Sequence, residues 1–559
     1  MKKRFKELCP VDKKRILIIH LIIILGLTYV LFFYGIGDYA LKEPDEGRYA
    51  EIPREMIELN DYIVPHINHV RYFEKPPLFY WAVAASYKLF GINEWSFRFV
   101  NAFSAFLCTI ALYFTSRRWF SERAAILSAI ILASSFGFFS MARIVTTDMF
   151  FTLWLFVSLL CFLGYYKERK TFFIYLFYVF LALATLTKGI VAIILLFLTV
   201  VIFLIIEKRL AFLKEMRIIK GTIIFSIVAL PWFVTISLKE SEFFYFFVID
   251  QHFLRFFTSK HKRTGSLFYF FPVLIGGMFP WSILLPRSIT ALWKKSEIRL
   301  LILWSGIVFL FFSISKSKLP PYMLPIFPTL AIVLGCFFDD LWGRIIHKKL
   351  EIIIYALIFS AFAMTPFTYW NNSAIEMISQ ISIESIEVFQ DLKTFVFCIS
   401  SLSIIIICLL CFRKSMSYNL VFYTLTCFSL IFVILLLMLN IKTIDCLNTT
   451  KGLAKTINRD IRPGDLLINY GTYDQTLRFY TGKPIIIAAY KGELEMGSKY
   501  EDAKNIFIGE QDLLALLKSE KRVFTVLKTK RLMRLQEALP NNEIIIIDYQ
   551  GERCLIKNR

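Results

Sequence analysis

The chain has 559 residues, is 57% hydrophobic and 17% aromatic, and only 19% of it is charged. Soluble domains are about 45–50% apolar with about 25% charge, so this composition excludes disorder, a fibrous repeat and a purely soluble enzyme, and points to a polytopic membrane protein. The 64 Lys and Arg against 43 Asp and Glu leave +21, an excess that cytoplasmic loops and anionic lipid head groups explain without nucleic acid.

Hydrophobic runs near the ~20 residues that cross a bilayer recur at 15–36, 97–116, 124–142, 149–166, 172–187, 189–206, 220–238, 267–287, 298–315, 322–342, 351–370, 394–412 and 418–440. These predict about thirteen transmembrane helices. The fifth and sixth runs meet at Lys188-Gly189, which predicts a tight turn. The first run is too long for a signal peptide, and no A-x-A site follows it. The N-terminal MKKRFK is basic, and so is every second loop: RRWFSER, KERK, EKRLAFLKEMRIIK, RSITALWKKSEIR, GRIIHKKL and RKSMS. The positive-inside rule makes these cytoplasmic, which places the C-terminus outside. Cys408 and Cys411 have CxxC spacing, but they lie inside a lipid-length run and read as helix packing.

The opposite loops differ in kind. Residues 37–96 and 238–266 are rich in charge and aromatics, and short turns at 143–148 and 316–321 face the same side. Within the first, 78–90 is apolar but too short to span, so it predicts an interfacial or re-entrant helix. Beyond about residue 440, LLINYG, KPIIIAAY, NIFIG, RVFTVLK and EIIIIDY are short β-branched runs between helix-period stretches. They predict an α/β domain over 441–559 that lies outside the membrane, beside a transmembrane domain over 1–440. Cys446 and Cys554 bracket it, and a disulfide between them is one possibility in an oxidising compartment.

The densest polar cluster is Lys42-Glu43-Pro44-Asp45-Glu46-Gly47-Arg48-Tyr49-Ala50-Glu51, just past the first run. Read blandly, Asp45 caps a helix carrying Glu46 and Glu51. Read functionally, acids, an Arg and a Tyr sit together at the membrane surface. Arg71-Tyr72-Phe73-Glu74-Lys75-Pro76-Pro77 follows; its prolines fix an extended approach, and Lys75 is placed either to hold a lipid phosphate or to snorkel. Arg143, Asp148, Lys188, Asp250, His252, Arg255, His261, Arg263, Lys316, Lys318 and Tyr322 lie on the same side. Charges near a span are costly unless paired or facing water, so their convergence describes a cavity open to the outside. No Walker A, GxGxxG, GxSxG or HExxH motif is present, so no nucleotide is expected and an activated donor would arrive on lipid.

These motifs resemble the GT-C glycosyltransferases, and most closely the ArnT-like branch of lipid A 4-amino-4-deoxy-L-arabinose transferases, related to protein O-mannosyltransferases. The resemblance rests on Pro44 to Glu51 and Tyr72 to Leu78, with support from Thr147-Asp148-Met149, Thr187-Lys188-Gly189, His252 to Phe256, Lys318 to Tyr322 and Tyr473 to Pro484. It implies an inverting enzyme of the bacterial inner membrane. A sugar would move from an undecaprenyl-phosphate donor to lipid A or another periplasmic acceptor. It further implies Asp45, with Asp148, as the catalytic acids, and Arg48, Tyr49, Tyr72, Lys75, Lys188, Arg255, Lys318 and Tyr322 as substrate-binding. A divalent Zn, Mg or Mn ion at Glu74 with His252, or with His261 instead, is also implied; His66 and His69 are a further pair at ligand spacing. The alternatives are a GT-C transferase using another polyprenyl sugar on protein or glycan, and a lipid flippase or transporter. The last would place its site at the midplane, whereas these acids cluster at the outer surface.

Overall fold

The apolar runs fold into helices in a computed structural model that describes residues 10–254, 265–345, 360, 393–406, 417–438, 448–539 and 544–558. Among the described residues, eight helices are long and apolar enough to cross a bilayer: Lys13–Phe33, Glu94–Trp119, Thr147–Glu168, Thr171–Lys188, Ile218–Lys239, Ser296–Ile314, Pro320–Leu341 and Tyr418–Met438. Two bent pairs raise this to ten if each is one span: Glu122–Ser134 with Phe136–Arg143, bent by 62°, and Phe270–Gly277 with Trp281–Leu292, bent by 109°. The first bend falls where Ser135 is extended; the second follows Phe279-Pro280, where proline removes a donor. Val191–Ile206 and Lys393–Ile406 are shorter apolar helices at two further expected runs. The expected run at 351–370 lies outside the described residues apart from Ser360. The chain is a multi-span membrane protein.

The expected turn at Lys188-Gly189 is present. One helix ends at Lys188, Gly189 takes φ +81°, and the next helix begins at Val191. A side chain on that positive-φ residue would be strained.

Residues 37–96 form a polar layer over one end of the bundle. It contains the helix Asp45–Glu58, the antiparallel pair β1 (His66–Ile67) and β2 (Val70–Arg71), and the short helix Leu78–Phe90 at the expected interfacial position. The C-terminal residues build a six-stranded sheet of order β5-β4-β3-β6-β8-β7. Its strands are β3 (Leu466–Tyr470), β4 (Ile486–Ala488), β5 (Phe507–Ile508), β6 (Val523–Lys528), β7 (Ile545–Gln550) and β8 (Arg553–Lys557). Strands β3 to β6 are mutually parallel, and β8 runs antiparallel to both β6 and β7. Five strands coincide with the expected runs, and β8 is additional. Cys554 is a free thiol buried in β8; Cys446 lies outside the described residues.

The outer layer and the sheet share one apolar core. Ala50, Ile52, Met56, Phe79 and Tyr80 pack in a cluster with Ile457, Leu467, Leu477, Ile487 and Phe524. Burial of this kind contributes about 25 cal/mol per Å2 of apolar surface, so the C-terminal sheet is held on the membrane-proximal layer rather than tethered beside it.

Candidate active site

The helix Asp45–Glu58 begins directly after Pro44, with both Asp45 and Glu46 in its first turn, where the helix dipole favours acids. The N-cap position falls on Pro44, so Asp45 lies inside the first turn and does not take the capping role. The two adjacent acids have separate fates. Glu46 is buried and accepts from Arg98 Nε at 3.1 Å and Nη2 at 2.7 Å. It also accepts from the backbone N–H of Val145. Arg98 in turn donates to the carbonyls of Ile36, Tyr39 and Ala40. Glu46 therefore fixes the path of the first loop. Asp45 keeps 51% of its side chain exposed, with Arg48 Nη1 3.5 Å away.

One turn along, Arg48 is buried among tyrosines. Its guanidinium lies 5.8 Å from the Tyr49 ring centre and 5.9 Å from that of Tyr72. Nη2 meets Glu493 at 2.5 Å, while its Nε is buried without a hydrogen-bond partner. The hydroxyls of Tyr72, Tyr80 and Tyr473 and Oε1 of Gln475 are likewise buried and unpartnered. Buried polar groups are normally satisfied, so a cluster of open ones marks a place where a polar ligand belongs. Burial pushes the Tyr72 hydroxyl well above its usual range, with Arg48 opposing. It also raises Glu493, against the pull of Arg48. Glu493 comes from the C-terminal domain and receives a hydrogen bond from the Gln475 amide. Nothing in the sequence singled it out, because its pocket partner Arg48 lies more than 400 residues away in the chain.

A second group sits at the start of the helix Thr147–Glu168. Asp148 is buried and paired with Lys188, whose ammonium lies 4.9 Å from the Tyr322 ring centre and 5.4 Å from that of Phe151. Aromatic contacts link the two groups, since Phe79 packs on Tyr49 at 6.1 Å and on Phe150 at 5.8 Å. The charges of Asp45, Glu74 and Asp148 all act on the buried Tyr49 hydroxyl; burial raises it and Arg48 opposes. The structure thus gathers Asp45, Arg48, Tyr49, Tyr72, Glu74, Asp148, Lys188 and Tyr322 at one end of the bundle.

The remaining expected residues are placed differently. Lys75 is half-buried between Glu74 and the two prolines. Lys318 is buried and donates to the carbonyls of Ser313 at 2.6 Å and Ser315 at 3.0 Å. It therefore caps the C-terminal end of Ser296–Ile314. Burial, with Lys316 nearby, lowers its pKa. Arg143 does similar work for the first span, donating to Leu31 and Tyr34 carbonyls. Arg255, His261 and Arg263 lie outside the described residues; His252 is in the helical segment Tyr245–Leu254. Among the described residues, no three His, Cys, Asp or Glu side chains converge as a metal set would. His69 is turned to Arg478, 2.8 Å away, rather than to His66.

The C-terminal domain is locked over this site by charges. Glu43 accepts from the backbone N–H of Gln475 at 3.1 Å and of Thr476 at 2.7 Å, at the start of the helix Gln475–Thr481. Arg478, wholly buried, reaches Glu51 at 3.3 Å, Glu55 at 3.2 Å and Glu58 at 3.3 Å. Arg71 stacks on Tyr500 at 4.3 Å and pairs with Glu240 at 2.9 Å and with Asp502.

A family model described as dolichyl-phosphate-mannose-protein mannosyltransferase matches residues 17–247. A second, described as aminoarabinose transferase C-terminal domain, matches 453–556. The chain is 30% identical over 347 residues to undecaprenyl phosphate-alpha-4-amino-4-deoxy-L-arabinose arabinosyl transferase 2 of Proteus mirabilis, covering 60% of this chain and 63% of that one. It is 33% identical over 324 residues to the corresponding transferase of Photorhabdus laumondii, covering 56% and 58%. The match thus spans about three-fifths of each relative's length. The crystal structure of ArnT from Cupriavidus metallidurans bound to undecaprenyl phosphate superposes with a TM-score of 0.83 at 25% identity, over 96% of this chain and 98% of that one.

Proposed function

We propose that this chain is a member of the ArnT-like family of GT-C glycosyltransferases, and that it moves 4-amino-4-deoxy-L-arabinose from an undecaprenyl-phosphate carrier to a phosphate of lipid A. The observation that carries the reading is the buried Arg48, with its unpartnered Nε among open tyrosine hydroxyls, directly beneath the exposed Asp45. That arrangement suits a phosphate-linked sugar. A bond forms between an acceptor oxygen and the anomeric carbon as the bond from that carbon to the carrier phosphate breaks, and the phosphate leaves with the electron pair, inverting the centre.

Arg48, Lys75 and Arg255 would meet the leaving phosphate, where an Arg fork gives two parallel hydrogen bonds. Tyr49, Tyr72 and Tyr322 would border the sugar or the prenyl chain. A lipid A phosphate is already ionised, so Asp45 would orient the sugar and steady positive charge developing on its ring; towards a hydroxyl acceptor it would be the general base. Asp148 would support that field, held in place by Lys188. Glu493, beside Arg48, would accept a hydrogen bond from the sugar ammonium. A divalent ion at Glu74 with His252 or His261 would add positive charge beside the phosphate; one carboxylate and one imidazole make a sparse, open site.

The enzyme would sit in the bacterial inner membrane, with its N-terminus cytoplasmic and the C-terminal domain periplasmic. A reporter fused after residue 440 should be active only outside the cytoplasm. The match of residues 17–247 to a mannosyltransferase model favours one second reading, transfer of another polyprenyl-linked sugar to protein or glycan. Mass spectrometry of lipid A from cells with and without the protein separates the two. A mass increment of one aminopentose on a phosphate is expected, and unchanged lipid A in expressing cells would reject the first reading.

A further inference from the structure

A cavity of about 290 Å3 opens between the helices Thr171–Lys188, Val191–Ile206 and Ile218–Lys239, lined by Tyr178, Leu196, Val200, Leu213, Met216 and Phe225 among others. It lies far from the candidate active site. Tyr178 is ten residues before Lys188, or roughly 15 Å along the helix, and Ile218–Lys239 starts at the cavity and ends next to Glu240, the partner of Arg71. The cavity therefore belongs to the end of the bundle that carries the basic loops.

Its rim is ordered. The Tyr178 hydroxyl donates to the Met216 carbonyl at 3.1 Å, and Tyr165 donates to the Glu215 carbonyl at 2.8 Å. Around that rim stand Lys208, Arg209, Lys214, Arg217 and Lys220, all exposed. Among the described residues none of these five pairs with a carboxylate. The two acids of the same segment are taken by arginines from elsewhere, Glu207 by Arg299 and Glu215 by Arg169. Five uncompensated cations at the mouth of an apolar slot are complementary to one kind of molecule.

We propose that the cavity holds an acyl chain of an anionic phospholipid from the leaflet on this face, with the headgroup phosphate against Lys214, Arg217 and Lys220. The apolar lining suits hydrocarbon, and basic side chains at a membrane surface favour anionic lipid. A ligand that binds only the folded state raises its Tm.

The test uses the full-length protein in detergent, stripped of lipid and titrated with phosphatidylglycerol or phosphatidylcholine. Phosphatidylglycerol should raise the Tm more than phosphatidylcholine does. The variant K214Q/R217Q/K220Q, altered only at exposed positions, should reduce the phosphatidylglycerol shift to the phosphatidylcholine level. Thr222, exposed and lining the cavity, gives a second handle: Thr222→Trp blocks the slot, so it should remove both shifts and lower the phospholipid retained per chain on purification. Equal shifts from the two lipids in the unaltered protein would overturn the proposal. So would a phosphatidylglycerol shift that survives in the charge variant, or retention of polyprenyl phosphate instead of phospholipid that Thr222→Trp abolishes.

Discussion

Glu46 and Arg98 form a buried, two-bonded ion pair, with side chains 2% and 0% exposed, one residue away from an Asp45 that stays half open to solvent. Two neighbouring acids at one helix start therefore do opposite work. Glu46→Gln leaves the Arg98 charge buried without its carboxylate partner, and breaking such a pair costs about 3–5 kcal/mol. Its Tm and expression should fall. Asp45→Asn has no cap to break, so its Tm should match the parent, while sugar transfer from a polyprenyl-phosphate donor drops by about 10²–10⁴-fold, the range for a positioned acid or base. Near-parental transfer by Asp45→Asn at equal expression would remove Asp45 from the chemistry.

Glu43 predicts a pH dependence of the domain clamp. Burial, then the nearby Asp474, pushes its carboxyl up from 4.5 to about 7, against hydrogen bonds from Thr476. Between those two values the folded chain holds a proton that the unfolded chain has released. Stability therefore falls as pH rises from 4.5 to about 7 and levels off above that. Glu43→Gln cannot titrate, so its Tm should show less of this decline between pH 5 and 8. Parallel Tm curves for the two proteins would show that Glu43 does not carry the effect.

Gly47 is where the first loop touches the C-terminal domain. A Cβ there would sit 2.7 Å from the Thr476 backbone nitrogen and 2.8 Å from its Cγ2. The helix Gln475–Thr481 cannot keep its position against it. Overpacking of this sort costs about 1–3 kcal/mol, so Gly47→Ala should lower the Tm and speed proteolytic cleavage of the C-terminal domain. Unchanged proteolysis would mean that the two layers separate freely even in the parent.

Much of this was legible from the chain because lipid-length and short β-branched runs are local signals. The spans from residue 97 to 342, the turn at Gly189 and five of the six strands follow from apolar runs bounded by charge or glycine. Strand β8 was not legible, since RCLIK mixes charge into a short run and reads as a strand only when Gly551 turns it back on β7. The cluster around Asp45 was legible as a cluster, but its internal division was not: Glu46 owes its structural role to Arg98, 52 residues on. Lys318 was legible as a charge on the outer side, with substrate binding implied by the resemblance alone; that its ammonium also closes a helix end shows only in the fold. The clamp through Glu43, Arg478 and Glu493 joins positions more than 400 residues apart, beyond the reach of any spacing argument.

Glu493 gives the sharpest test of how the C-terminal domain takes part. It is half-buried, it holds Arg48 at 2.5 Å, and it sits beside unpartnered Gln475 Oε1 and the Tyr72 hydroxyl. Two roles fit that position. As a prop for Arg48 alone, Glu493 would matter equally for every donor sugar. As an acceptor for the sugar ammonium, it would matter only for a donor that carries an amino group. A hydrogen bond to a charged group contributes about 1.5–3 kcal/mol, so Glu493→Gln should cut kcat/KM for the 4-amino donor by roughly 10–150-fold. The same change should affect a 4-hydroxy analogue far less, because a neutral amide still bonds to a hydroxyl. The measurement is the ratio of the two rates in parent and variant membranes at equal expression. A fall shared equally by both donors would leave Glu493 as a positioning residue for Arg48 and remove it from sugar recognition.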